Sequence, residues 1–125
     1  MVSNDVGKKG EDIACRYLEG KGHVILERNF KVKSGEIDII SKKKGRLFFV
    51  EVKATSQEDK GLDTYQKPEE SVHSRKMKKL SRAVQVYLAK RYDNLDVEWD
   101  FMVIAMDLDI RAKTARVRVI SDVLA

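Results

Sequence analysis

Residues 35–53 read GEIDIISKKKGRLFFVEVK, and this stretch is typical of a β-hairpin. Two runs rich in β-branched and aromatic residues, Ile37–Ile40 and Leu47–Val52, flank the segment KKKG at residues 42–45. Apolar runs on both sides of a short loop that ends in glycine indicate two antiparallel strands joined by a tight turn. We therefore take this hairpin as the element around which the rest of the chain is organised.

Three charged side chains stand in or beside these apolar runs: Asp38 in the first, Glu51 in the second, and Lys53 two residues further on. Because side chains alternate between the faces of a strand, Glu51 and Lys53 point to the same face. A turn near Lys43–Lys44 would place Asp38 almost opposite Phe49, one step from Glu51. A slip of one residue would move Asp38 to the other face of the sheet.

The two acids on neighbouring strands suggest a metal site. Carboxylates about 4–5 Å apart repel each other by roughly 4 kcal/mol at an effective dielectric constant near 20. Mg²⁺ would offset that repulsion, because it binds a few carboxylate oxygens and keeps its other positions for water and phosphate. Lys53 could contact a phosphate or help to activate a water. An isolated Glu-x-Lys is usually a solvated strand face, but the neighbouring Asp38 and the apolar flanks favour metal-assisted attack on a phosphodiester.

Composition limits the class of protein. A chain of 125 residues with 42% hydrophobic residues suits a single domain, residues 1–125, with one core. Its 25 basic and 20 acidic residues give a net charge of +5, which favours polyanionic partners. The single cysteine, Cys15, excludes an intramolecular disulfide and fits a reducing compartment. No apolar run is long enough to cross a membrane and no signal-peptide core is present, so we expect a cytoplasmic protein without membrane contact.

The periodicity of apolar residues predicts a mixed α/β domain. The predicted elements are a helix at Asn4–Lys21, a strand at His23–Asn29, the hairpin, a helix at Ser74–Tyr92, and strands at Val97–Met106 and Ala115–Ile120. The polar segment at residues 54–72 predicts a mobile loop that borders the acidic site. The resulting order, α-β-β-β-α-β-β, indicates a mixed β-sheet flanked by helices.

The first predicted helix contributes a further acid. Its apolar arc consists of Ile13, Ala14, Tyr17 and Leu18. Glu11 lies at the border of this arc, where its carboxylate can reach inward to a site or pair with Lys8. Gly7 and Gly10 weaken a helix by roughly 1 kcal/mol each relative to alanine. Their presence predicts that something packs closely there, either backbone or phosphate.

The second predicted helix combines a buried stripe with a basic cluster. The stripe consists of Met77, Leu80, Val84, Tyr87 and Leu88. The basic residues are Arg75, Lys76, Lys78, Lys79 and Arg82. This cluster is the best candidate for phosphate contacts outside the acidic site, and its alternative interpretation is a solvated helix face.

Taken together, these motifs resemble a known group of nucleases. Gly10-Glu11, GEID at residues 35–38 and FVEVK at residues 49–53 resemble the restriction-endonuclease-like nucleases, which share an Asp…(Asp/Glu)-x-Lys core. The order helix Glu, strand Asp, strand Glu-x-Lys is similar to the archaeal Holliday-junction resolvases. With Asn29-Phe30 and the small size, the pattern looks most like the YraN family of small bacterial proteins. The resemblance spans about residues 7–105.

The resemblance implies a restriction-endonuclease-like core and a metal-dependent endonuclease that acts on structured or branched DNA. By this analogy, Asp38 and Glu51 would hold Mg²⁺ or Mn²⁺, assisted by the Val52 carbonyl. Lys53 would act on the attacking water or the phosphate, and Glu11 would be an accessory acid. Symmetric cutting of a junction requires two active sites, which favours a homodimer, although no stretch of the sequence identifies an interface.

Two other functions stay open from the sequence. The first is a nucleic-acid-binding module that keeps the nuclease fold without turnover. The second is an RNA- or ribosome-associated interaction protein, which the basic helix would suit. The acids in the strands have no explanation under the second alternative.

Overall fold

The computed structural model describes residues 2–33, 35–56, 74–93 and 96–121, without the side chains of 2–5, 74–77 and 121. The elements are α1 (Val2–Gly20), β1 (Val24–Val32), β2 (Gly35–Lys43), β3 (Arg46–Ser56), α2 (Ser74–Tyr92), β4 (Trp99–Asp109) and β5 (Thr114–Ser121). This order confirms the predicted α/β class with the sequence α-β-β-β-α-β-β. No helix in the described part of the chain is long and apolar enough to cross a membrane.

The five strands form one mixed sheet in the order β1-β2-β3-β4-β5. The pairs β1–β2, β2–β3 and β4–β5 are antiparallel, and β3–β4 is parallel. A parallel pair requires a crossover connection, and the segment between β3 and β4 contains α2. Helix α1 packs mainly against β3, and helix α2 packs mainly against β2.

Each helix covers one face of the sheet and forms a core there. In the first core, Ala14 and Leu18 of α1 are buried with Ile39, Val50, Ile104 and Met106. In the second core, Leu80, Ala83, Val84 and Tyr87 of α2 are buried with Ile37, Ile40, Phe49, Phe101 and Val103. These two clusters confirm the apolar arc of the first helix and the described part of the stripe on the second. The side chain of Met77 lies outside the described residues.

The hairpin is confirmed, but its turn lies one residue later than expected. Lys43 pairs with Arg46, so the loop consists of Lys44 and Gly45. Both loop residues have positive φ angles, 50° and 79°. Two-residue hairpin loops favour positive φ at both positions, because this twist matches that of the strands, and glycine adopts it without strain. The predicted turn near Lys43–Lys44 is therefore wrong.

The position of the turn changes the pairing of the whole hairpin. Phe49 lies opposite Ile40, so the prediction that Asp38 lies almost opposite Phe49 is wrong. Pairing of β2 with β3 ends at Ile39 and Val50, and Asp38 is the next residue of β2. The observed register differs from the predicted one by two residues. A difference of two residues does not by itself move side chains to the other face of the sheet.

At this point β2 separates from β3 but stays paired with β1. Arg28 pairs with Ile39, and Phe30 pairs with Ile37. Ile37 belongs to the second core and Ile39 to the first, although residues two apart in a regular strand share a face. Asn29, between the two pairs, has a φ of 54°. The paired strands β1 and β2 therefore twist here, so that the side chains of Ile37 and Ile39 point to opposite faces of the sheet. This twist leaves a gap beside β3.

Three predicted strands have other boundaries in the structure. Strand β1 continues to Val32 instead of ending at Asn29, strand β3 continues to Ser56, and strand β4 is Trp99–Asp109 instead of Val97–Met106. Residues 54–56 of the predicted loop therefore belong to β3, which pairs with β4 as far as Ser56. Residues 57–72 of that predicted loop lie outside the described residues.

Candidate active site

The gap between β2 and β3 opens into a cleft of about 340 Å³ between the two helices. All the residues predicted as catalytic line it: Glu11 from α1, Asp38 from β2, and Glu51 and Lys53 from β3. Val52 lines the same cleft. The structure therefore brings together side chains that are up to 42 positions apart in the sequence (11 to 53).

The backbone of β3 holds the Asp38 carboxylate directly. The Val52 N–H donates a hydrogen bond to Asp38 Oδ2 over 2.8 Å. The β2–β3 ladder has already ended at Ile39 and Val50, so a side chain takes the place of the next strand as hydrogen-bond acceptor. This bond fixes the carboxylate beside Glu51, the residue that precedes Val52.

Glu51 and Lys53 share a face of β3 and form an ion pair. Lys53 Nζ lies 3.4 Å from Glu51 Oε2, and the side chains are 23% and 7% exposed, respectively. Their common face is the one predicted from the alternation of side chains. The Glu51 side chain is therefore almost fully withdrawn from solvent, while the Lys53 side chain is partly exposed.

The surroundings of Asp38 shift its acidity strongly. Burial and, second, the Glu51 carboxylate raise the pKa of Asp38 from its ordinary 3.8 to about 7, against the opposing effect of the Val52 hydrogen bond. The more distant charges of Glu11 and Glu36 raise this pKa further. A buried acid with neighbouring acids favours either a proton or a cation near neutral pH.

Glu11 is held at the cleft by two residues of β1. Asn29 Nδ2 donates a hydrogen bond to Glu11 Oε1 over 3.2 Å, and Arg28 Nη2 lies 3.4 Å from the same oxygen. Arg28 also binds Asp12 over 2.9 Å. Sequence reasoning missed Arg28 and gave Asn29 no role. An asparagine inside a strand was the available signal, because asparagine adopts the left-handed conformation more readily than most residues.

Close packing of the helices brings these groups together. A Cβ atom on Gly10 would lie 2.7 Å from Ala54 Cβ, and one on Gly35 would lie 2.7 Å from the Lys79 carbonyl oxygen. The prediction of close packing is confirmed at Gly10. At Gly7 it is wrong, because no atom lies within 4 Å of a Cβ built there. Gly7 instead lines the cleft and leaves room in it.

The donor set of the cleft fits a hard divalent cation. Asp38 and Glu51 offer carboxylate oxygens, and burial together with the Glu51 carboxylate raises the pKa of Asp38, so a cation near Asp38 would favour its ionised form. Among the described residues, no three His, Cys, Asp or Glu side chains form a metal-binding group. Mg²⁺ does not need one, because it commonly uses one or two carboxylates together with waters and substrate phosphates. Asp38 and Glu51 would hold such an ion.

The predicted basic cluster is described only in part. Lys78, Lys79 and Arg82 are exposed on α2, and Lys79 lines the cleft. The side chains of Arg75 and Lys76 lie outside the described residues. Contact of these cations with phosphates stays a prediction.

Comparison with known proteins gives consistent matches over most of the chain. A model of the uncharacterised protein family UPF0102 matches residues 10–120. A UPF0102 protein of Persephonella marina is 45% identical over 91 residues, which cover 73% of this chain and 74% of the relative. A UPF0102 protein of Dictyoglomus turgidum is 36% identical over 107 residues, or 85% and 86% of the two chains. One from Clostridium botulinum strain Loch Maree is 36% identical over 120 residues, or 96% and 94%.

Proposed function

This chain belongs to the uncharacterised protein family UPF0102, whose description names no reaction, and we propose that it is a metal-dependent endonuclease acting on structured or branched DNA. The resemblance to the YraN family agrees with this membership. One observation carries the proposal. The partly buried carboxylate of Asp38 and the buried carboxylate of Glu51 lie with the Lys53 amine in an open cleft, where their charge favours a divalent cation.

Each residue of the cleft has a separate task in this proposal. Asp38 and Glu51 would hold the cation, and the Val52 carbonyl would assist them. Bound Mg²⁺ or Mn²⁺ would supply charge stabilisation to the scissile phosphate and lower the pKa of a bound water. Lys53 orients the attacking water or contacts a phosphate oxygen, as a compact positive charge can. Glu11, which Asn29 and Arg28 hold at the edge of the cleft, would be an accessory acid.

The charge of the cleft favours this function over binding alone. Its lining includes four carboxylates, from Glu11, Glu36, Asp38 and Glu51, and two amines, from Lys53 and Lys79, so 2 − 4 gives a formal charge of −2 when every group is ionised. A cleft of that charge repels phosphate unless a cation is bound, because like charges in a partly buried site are weakly screened. A module that only binds DNA or RNA would gain affinity from losing these acids.

Cleavage assays with matched variants test the proposal. Labelled four-way DNA, duplex DNA and structured RNA are incubated with the protein and Mg²⁺ or Mn²⁺. Asp38→Asn and Glu51→Gln should each lower the cleavage rate of branched DNA by about 100-fold or more, as loss of a metal ligand does. Glu98→Gln is the control, because this acid is 77% exposed and pairs with Arg46 outside the cleft.

The outcomes separate the candidate functions. Cleavage at the wild-type rate by Asp38→Asn and Glu51→Gln would contradict the assignment of the site. Salt-dependent binding without cleavage under either metal would favour the catalytically silent module. Preferential binding of structured RNA without cleavage would favour the RNA-associated alternative.

A further inference from the structure

The face of the sheet that carries Glu51 and Lys53 becomes polar and charged beyond the cleft. Under α2 this face is apolar and carries Phe49, Phe101 and Val103. Further along β3, past Glu51, every second residue is polar or charged. The residues on this part of the face are Lys53 and Thr55 of β3, Asp107 of β4, and Arg116 and Arg118 of β5.

The strand register connects β5 directly to the catalytic row. Lys53 lies opposite Ala105 of β4, and Ala105 lies opposite Arg118 of β5. In the next row, Thr55 lies opposite Asp107, and Asp107 lies opposite Arg116. Adjacent strands are about 4.8 Å apart, so the backbone of Arg118 lies roughly 10 Å from that of Lys53. Alanine between them leaves only a methyl group on β4.

A chain of hydrogen bonds holds Arg118 across the sheet. Arg118 Nη1 donates to Asp107 Oδ2 over 3.1 Å, and Thr55 Oγ1 donates to Asp107 Oδ1 over 3.0 Å. The arginine of β5 is thereby linked through β4 to β3, the strand that carries Glu51 and Lys53. The Arg118 side chain is 34% exposed, so it lies at the surface instead of in the core.

The alternation of β5 fixes which face its cations occupy. Val117 packs against the first core, on the α1 side of the sheet. Its neighbours Arg116 and Arg118 therefore point to the opposite face, the one shared with Lys53. Arg116 is exposed there. The hydrogen bond to Asp107 gives Arg118 a structural role, but it gives none to Arg116.

We propose that Arg116 and Arg118 form a phosphate-binding patch that contacts the DNA backbone on the β5 side of the cleft, away from the phosphate that is cut. The substrate is taken from the proposed function, and the patch is inferred from the sheet register. Lys79 lies on the opposite, α2 side of the acidic cleft. Cations on both flanks would attract a polyanion that the cleft itself repels, and arginine forms bidentate bonds with phosphate.

Equilibrium binding at several salt concentrations tests the patch. Fluorescence anisotropy of a labelled four-way DNA is measured without divalent cation at about 50 to 200 mM salt. Arg116→Gln with Arg118→Gln should weaken binding about tenfold or more at the lowest salt and reduce the slope of log K against log salt by about 2. Arg16→Gln with Lys90→Gln is the control, because it removes two exposed cations away from β5.

Two further variants separate binding from folding. Arg116→Gln alone leaves the Asp107 bonds in place and should reduce the slope by about 1. Arg118→Lys keeps a positive charge and should leave the salt slope unchanged, although loss of the bidentate geometry lowers the affinity. Circular dichroism checks that each variant is folded. Equal slopes for wild type and for both Arg116 variants would overturn the patch.

The binding test of the arginine patch can be interpreted whether or not the protein cleaves DNA. If Asp38→Asn abolishes cutting while the double arginine variant binds like wild type, the patch is wrong and the nuclease assignment stands. If the slope falls as expected but no metal supports cleavage, the patch stands and the nuclease assignment falls. If the wild type binds no DNA at any salt concentration, both are wrong.

Discussion

Asp38 Oδ2 accepts a hydrogen bond from the Val52 N–H over 2.8 Å, where β2 separates from β3. This bond orients the carboxylate but does not offset its burial beside Glu51, and the pKa of Asp38 is raised to about 7. The fold therefore keeps two acids close together at an energetic cost. Such a cost is common at functional sites, where the residues that bind or react are not those that stabilise the fold best.

Asp38→Asn should stabilise the metal-free protein. Because the folded-state pKa of Asp38 is above its ordinary 3.8, the stabilising contribution of its proton is complete below about pH 4 and is lost as pH rises through 7. Asparagine mimics the protonated form and can still accept the Val52 hydrogen bond. We expect a gain of a few kcal/mol in unfolding free energy at about pH 8, since a shift of about three pKa units corresponds to roughly 4 kcal/mol.

Urea denaturation followed by Trp99 fluorescence, with a chelator present, measures this gain. The difference between the variant and wild type should shrink toward zero below about pH 4, where Asp38 becomes protonated in the unfolded state as well as in the folded state. Glu98→Gln, at an exposed position, should show no comparable gain at either pH. If the wild type is as stable as Asp38→Asn at about pH 8, the ionised Asp38 carboxylate beside Glu51 does not destabilise the folded protein.

Divalent cations should stabilise the wild type and not the site variants. A ligand at about ten times its dissociation constant adds about 1.4 kcal/mol to the unfolding free energy. Thermal unfolding with Mg²⁺ or Mn²⁺ at about pH 8 should shift upward by a few degrees, while Asp38→Asn and Glu51→Gln should not shift. The shift should decrease below about pH 6, because the cation must displace the Asp38 proton. An equal shift in all three proteins would indicate binding elsewhere.

Alanine in place of Gly7 or of Gly10 in α1 should change the free energy of unfolding in opposite directions. Gly10→Ala places a Cβ atom 2.7 Å from Ala54 Cβ, and overpacking of this kind typically costs about 1–3 kcal/mol. Gly7→Ala meets no atom within 4 Å and should gain up to about 1 kcal/mol from helix propensity. Urea denaturation measures both. Adding Ala54→Gly to Gly10→Ala should recover part of the loss, and two changes of equal sign would contradict the packing described.

Sequence reasoning succeeded where short-range periodicity decides the structure. The stripes of α1 and α2 and the shared face of Glu51 and Lys53 follow from the repeats of helix and strand. The turn was misplaced because residues 42–45 offer several two-residue loops. The preference for glycine at the second loop position would have selected Lys44–Gly45 and so the correct partner of Phe49.

Other features depend on tertiary structure and have no local signal. The opposite facing of Ile37 and Ile39 breaks the alternation on which strand prediction relies. The binding of Arg28 to Glu11 joins a strand to a helix 17 residues away. The strand register alone shows that Arg116 and Arg118 of β5 lie near Lys53. The sequence ARVRVI does not indicate this, because it is typical of any strand with one solvated face. Sequence could therefore identify the acids, but not the residues that hold them.

Two substitutions should separate the effect of the left-handed backbone conformation of Asn29 from the effect of its side chain. Asn29 has a φ of 54° and donates to Glu11 Oε1 over 3.2 Å. Glycine accepts this φ, whereas alanine pays about 1–2 kcal/mol for it, so Asn29→Ala should be less stable than Asn29→Gly by about 1 kcal/mol in urea denaturation. Both lose the bond to Glu11, and both should lower single-turnover cleavage to a similar extent if Glu11 must be positioned. Wild-type cleavage by Asn29→Gly would show that this bond has no role in the reaction.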